Sequence, residues 1–169
     1  MEPADSAKKF DLSLASTDAP RVEFVFSVQV EISPKKALGA LPQGHDRYIV
    51  DILDGVFEGP NIKGRVLRGG ADWAFIRPDG VFSFDARYTL QEDDGTLIYM
   101  QNRGYRWGSA DAMARMARRE PVDPSEYYMR VAPMFECAAG KHDWLTKYVF
   151  FGVADKIPTG NIIRYFRVL

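Results

Sequence analysis

Cysteine and histidine are scarce in this chain: Cys137 stands alone, and His45 and His142 are its two imidazoles in 169 residues. A single thiol excludes an intrachain disulfide and any thiolate cage built within one chain. A reducing cytoplasm suits that usage. Two scattered histidines are a poor start for zinc, which takes three or four nitrogen, sulfur or oxygen ligands, so no metal is expected. His45 lies in a Gly/Pro-rich loop and His142 beside Lys141 in another, and both are expected in solvent, which disfavours a Ser-His-Asp triad. No GxGxxG or GxxxxGK[ST] arrangement follows a strand pattern, so nucleotide phosphate has no cradle and no cofactor is expected.

An excess of either charge is missing too. Lys and Arg number 22 against 23 Asp and Glu, a net charge of −1, which gives no field to draw nucleic acid or an anionic membrane. No run approaches the roughly 18 apolar residues of a membrane helix. The opening MEPADSAKKFDLSL lacks the apolar centre of a signal peptide. The expectation is a soluble, cytoplasmic protein with no nucleic-acid or membrane partner; a homodimer is compatible with it.

What the chain does have is strand and turn chemistry: 14 Gly, 10 Pro and 13% aromatics within a 46% hydrophobic composition. Its length suits one domain, placed at residues 21–169 behind a tail or edge strand at 1–20. Val22 to Ile32 alternates, with Val22, Phe24, Phe26, Val28, Val30 and Ile32 on one face. Ser33 to Gly44 reads as a loop, and Tyr48, Val50 and Ile52 mark a second strand. From Phe57 to Gly95 a meander follows, with Gly64 as a bulge or corner and hairpins closing at Asp79-Gly80 and Asp94-Gly95, because φ > 0 costs such residues least. Thr96 to Trp107 returns antiparallel.

One helix is predicted from Ser109, its N-cap, to about Arg119, stopped by Pro121. Met113 and Met116 lie on its apolar stripe. It either plugs an open end of the sheet or acts as a lid, where methionines adapt to varied ligands. Strands resume at Tyr127 to Cys137, Lys147 to Ala154 and Asn161 to Leu169. Strand after strand at short spacing suits an up-and-down barrel or a tightly curled sandwich.

The ordered motifs Val56-Phe57-Glu58-Gly59-Pro60, Gly69-Gly70-Ala71-Asp72-Trp73, Arg77-Pro78-Asp79-Gly80, Asp85-Ala86-Arg87-Tyr88, Asn102-Arg103-Gly104 and Pro121 to Tyr128 resemble the DUF3237 family, also called UPF0311, over about Val22 to Leu169. Asp54-Gly55 and Cys137 depart from its pattern. The resemblance implies an all-β fold: a closed antiparallel lipocalin-like β-barrel with one short inserted helix. It also carries over Glu58, Asp72, Trp73, Asp85 and Arg87 as motif centres.

The chemistry available is acid–base work. Asp85 and Arg87 are two apart on one strand and share a face, which Ser83 and Thr89 extend as a polar row. If that face lines the interior, Asp85 and Asp72 could move protons with Arg87 beside them, while Tyr99, Tyr105 or Tyr128 holds an enolate or phenolate. Glu58, Trp73, Met113 and Met116 complete the candidate binding set. The plainer alternatives are an Asp85–Arg87 ion pair that sets register, a turn-capping Asp72, a Glu58 bonded to backbone and a core Trp73. Two function classes follow. One is a cofactor-free isomerase, cyclase or lyase acting on a small aromatic or enone-like compound; the other is a barrel that carries a small apolar molecule.

Overall fold

A computed structural model describes residues 15–169. Most of the tail expected at 1–20 lies outside the described residues, and residues 15–20 form no strand. The strands are β1 (Val22–Ile32), β2 (Lys36–Ala40), β3 (Asp46–Gly59), β4 (Ile62–Val66), β5 (Ala71–Asp72), β6 (Phe75–Ile76), β7 (Phe82–Glu92), β8 (Leu97–Gly108), β9 (Tyr127–Cys137), β10 (Phe150–Ile157) and β11 (Gly160–Val168). They pair in the order β1-β11-β10-β9-β8-β7-β4-β3, and β1 pairs again with β3. The sheet is therefore a closed antiparallel barrel of eight staves, with no free edge around its girth. The short β4, β5 and β6 fill one stave in succession, each lying between β3 and β7.

Alternation decides which residues enter the barrel. Along β7 the inner row is Phe82, Phe84, Ala86, Tyr88 and Leu90; along β8 it is Ile98, Met100, Asn102, Gly104 and Arg106, as the β7–β8 register requires. In β1 the register shifts between Phe24 and Phe26. That extra residue reverses the parity of the strand's start. Val22 and Phe24, expected to share a face with Phe26, are exposed, while Val25 and Phe26 are buried. The Ser33 to Gly44 loop also needs correction. It contains β2, which pairs with β3 through its backbone while all five of its residues stay exposed, so it carries no apolar alternation to read. Gly64 marks no bulge, since β4 pairs without interruption on both sides.

One end of the barrel is packed with aromatic rings. Phe26 meets Phe57 and Phe135 edge-on, each at 5.9 Å, and Phe135 meets Phe150 at 5.1 Å. Burying each such ring contributes about 1.5–3 kcal/mol. Leu145, from the 3₁₀ turn Asp143–Thr146, completes this end. At the other end lies α1 (Ala110–Ala117). Ser109 caps it by accepting the Ala112 N–H at 3.1 Å, and Ala112 and Met116 are its buried residues. Arg119, in the left-handed region at φ 63°, turns the chain away.

Candidate active site

Between the aromatic end and α1 the barrel is hollow. The cavity measures about 720 Å³, within the range of roughly 300–1,000 Å³ usual for small-molecule sites. Its walls are largely apolar, with Val30, Ile52, Phe82, Phe84, Met129 and Val131 among them. Asp72, Tyr88, Asn102, Arg106, Lys35 and Lys156 break this apolar lining.

Asp72 enters because β5 sets it opposite Ala86 of β7 and Val50 of β3, both inner positions. Its Oδ1 accepts the main-chain N–H of Asp85 at 2.9 Å. Burial drives its pKa up to about 6; that hydrogen bond and the nearby Arg106 pull the other way without cancelling the rise. Arg106 projects inward from β8, with its guanidinium carbon 4.5 Å from the Phe82 ring centroid. Burial brings its pKa down to about 10. Farther along, Asn102 Nδ2 donates to Tyr165 Oη at 2.9 Å. The Tyr88 hydroxyl, Asn102 Oδ1 and Arg106 Nε are buried and have no hydrogen-bond partner among the described residues. Burial also pushes the Tyr88 phenol up to about 12, so it stays a neutral donor at ordinary pH.

The sequence-predicted residues divide sharply. Asp72 and Met116 line the cavity, whereas Met113, half-buried, packs against the core and is not part of the lining. Asp85 and Arg87 do not face the interior as expected. They stand on the outer face of β7, where Arg87 Nη2 donates to Asp85 Oδ2 at 3.2 Å, Gln101 Nε2 donates to Asp85 Oδ1 at 2.9 Å, and Arg103 lies 3.5 Å away. Burial raises the Asp85 pKa, but the hydrogen bonds from Gln101 and Arg87 outweigh it and hold the carboxyl below its usual value. Trp73 is exposed beside Arg87, and Glu58 is exposed on β3. Tyr99 and Tyr105 occupy the outward row of β8, and Tyr128 stacks on Trp107 at 5.6 Å on the same outer surface. The reason is common to all of them: in a barrel the apolar row turns inward, which leaves the polar row in water.

The residues that were missed are Arg106, Asn102, Lys156, Tyr88, Tyr165 and Lys35. All but Lys35 are in strands, and a signal existed there: each is a polar or hydroxylated side chain interrupting an apolar row.

The histidines also differ from expectation. His142 is buried at the aromatic end, with Nε2 3.3 Å from Asp94 Oδ2 and 3.7 Å from Glu92 Oε1. His45 is half-buried against Phe75, at 4.9 Å between rings. Glu92, Asp94 and His142 bring three potential ligand atoms within 4.8 Å of one another. Lys141 Nζ also lies there, 3.2 Å from Glu92 and 3.6 Å from Asp94, so Lys141 and His142 lock the loop after β9 to the β7–β8 turn through these contacts.

Fold and cavity together define a small closed β-barrel with a ligand-sized, mostly apolar interior whose lining includes the half-buried Asp72. Residues 20–168 match the DUF3237 family, described as a protein of unknown function, and the chain belongs to that family. A UPF0311 protein of Rhodopseudomonas palustris is 34% identical over 153 residues, covering 90% of this chain and 99% of the relative. The crystal structure of a conserved protein from that organism superposes with a TM-score of 0.85 at 33% identity, covering 91% of this chain and 100% of the other. A beta-barrel like protein from Acinetobacter baumannii AYE superposes at 0.77 with 34% identity, covering 91% and 100%. More distantly, a hydroalkoxylation enzyme of Penicillium herquei is 23% identical over 149 residues, covering 88% of this chain and 84% of that enzyme. No helix among the described residues is long and apolar enough to cross a membrane.

Proposed function

We propose that the barrel is a cofactor-independent acid–base catalyst acting on a small aromatic or enone-like compound, as an isomerase, cyclase or lyase. The observation that carries this reading is Asp72: a carboxyl inside a ligand-sized cavity, with its pKa raised to about 6. A group poised near neutrality can both take and return a proton. For ring closure onto an enone, ionised Asp72 would remove the proton of a substrate hydroxyl. The oxygen then bonds to the β-carbon, the C=C electrons move to the carbonyl oxygen as an enolate, and protonated Asp72 returns its proton to the α-carbon. No other reactant is consumed. Arg106 and the Tyr88 phenol are donors suited to the enolate oxygen. A hydroalkoxylation adds an O–H across a carbon–carbon double bond, so the distant Penicillium herquei relative supports the same class of step.

The alternative, a carrier barrel without chemistry, uses the same walls and would leave Asp72 dispensable for binding. The test is cyclisation of a 2′-hydroxychalcone followed by absorbance, with wild type against Asp72→Asn. Acceleration by the wild type that falls by about 10²-fold or more in the variant is expected for a lost general base. Equal rates in the two proteins would end the enzymatic reading.

A further inference from the structure

The open end of the cavity carries more positive charge than its surroundings neutralise. Lys35, Arg106, Arg119 and Lys156 all line it. Among the described residues, none of the four has a carboxylate oxygen within 4.0 Å. Of the acids in the lining, Glu120 is engaged by Arg118 at 2.6 Å, and Glu31 is exposed on the rim. Asp72, opposite Ala86, sits four residues along β7 from Phe82, the partner of Arg106.

The cations are also arranged around one ring. Lys35 Nζ lies 5.1 Å and the Arg106 guanidinium 4.5 Å from the centroid of Phe82. Phe84 follows at 5.0 Å from Phe82 and extends the aromatic wall. Lys156 continues the inner row of β10, where its Nζ has the neutral Asn161 Oδ1 at 3.2 Å. Arg106 Nε is buried without a partner. Burial, followed by repulsion from neighbouring cations, lowers the pKa of Lys35 and brings Lys156 down to about 8. Lys35 and Arg119 are exposed, Lys156 is half-buried and Arg106 Nε is buried; cations crowded together without carboxylate partners are stabilised by an anion placed among them.

We infer that this end of the cavity is a subsite for the carboxylate of a planar aromatic acid, held by Arg106, Lys35 and Lys156 with its ring against Phe82 and Phe84. Guanidinium and carboxylate pair through two parallel hydrogen bonds, which suits the buried Arg106 Nε. A single negative charge fits the site, because ionised Asp72 repels a second one farther in. This deepens the reading given above and rests on it only for a small aromatic ligand; the anion preference does not depend on Asp72 moving a proton.

The experiment is isothermal titration with 2-naphthoate and with 2-naphthamide, which share a ring system and differ in charge. Wild type is expected to bind the carboxylate at least about tenfold more tightly, as charged hydrogen bonds warrant. Lys156→Met and Lys35→Met should each shrink that ratio, the carboxylate losing several-fold more affinity than the amide, and Lys156→Arg should restore it. Equal binding of the two probes, binding of neither at millimolar concentration, or equal loss of both probes in the methionine variants would overturn the subsite. In Asp72→Asn the carboxylate preference should persist or grow even where turnover is lost, so a failure of the catalytic reading and a failure of the subsite give different results.

Discussion

Asp72 and Asp85 are joined by one hydrogen bond and separated by one wall. The Asp72 carboxylate receives the backbone N–H of Asp85 at 2.9 Å from within the barrel, while the Asp85 side chain points outward to Arg87, Gln101 and Arg103. Two acids thirteen positions apart thus hold opposite environments, and their pKa values move in opposite directions.

Asp72 should cost stability, because its carboxyl is held in a largely apolar cavity. Its folded pKa of about 6 lies above the ordinary 3.8, so the folded protein holds this proton more tightly than the unfolded chain. The contribution of Asp72 to stability is then greatest below about pH 4, declines as pH rises from about 4 to 6, and levels off above. Asp72→Asn keeps an oxygen for the Asp85 N–H and escapes the decline. Urea denaturation should show the variant more stable than wild type above pH 6, by on the order of 1–3 kcal/mol. The difference should vanish below pH 4, and a variant less stable throughout would contradict the burial of this carboxyl.

On the outer wall the opposite holds. Asp85→Asn weakens a partly exposed charge cluster and should change stability by less than about 1 kcal/mol. Neither it nor Arg87→Met should alter ligand affinity or turnover, measured side by side with Asp72→Asn. A large loss of turnover in either variant would return these residues to the site.

Backbone proximity across the barrel wall gives a sharper test of the fold. A Cβ added at Gly104 would lie 2.0 Å from the Arg130 carbonyl oxygen and 2.7 Å from Val131 Cα. Gly104→Ala must therefore push β8 and β9 apart, at a cost of about 1–3 kcal/mol or more. A denaturation midpoint matching wild type would mean that the two strands are not so closely apposed.

The lock at the aromatic end should be separable from binding. His142 is buried, and its ring meets Asp94 and Glu92. His142→Ala leaves both a void and lost polar contacts, for a loss on the order of 2–4 kcal/mol. Naphthoate affinity at a temperature where the variant is still folded should be unchanged, because none of these residues borders the cavity.

Much of this architecture was legible in the residues, and the reasons for the misses are physical. Tyr127 to Cys137 and Val22 to Ile32 alternate strongly enough for their spans to match β9 and β1. Ser109 and Asp111 mark the start of α1 as capping and dipole effects require. β2 was invisible because every one of its side chains is solvated. The site was half legible. Asp72 follows a Gly-Gly turn and stands out, but grouping polar residues by shared face selected Asp85 and Arg87 on the wet side of β7. The interior acids and bases are found by the reverse rule: Arg106 and Asn102 follow Ile98 and Met100 at every second position, and Lys156 follows Phe150, Gly152 and Ala154 in the same way. Whether the barrel was hollow depended on how far Phe26, Phe57, Phe135 and Phe150 fill it, which is a matter of contacts between residues distant in sequence.

Those four rings also govern traffic. They fill the far end of the barrel, which leaves the end lined by Lys35, Arg106 and Lys156 as the doorway for a small molecule. On the proposed reading, a product that keeps its carboxylate would leave past the same cations that drew the substrate in. Accumulating product would therefore compete with fresh substrate for that doorway, and turnover would slow as the reaction advances.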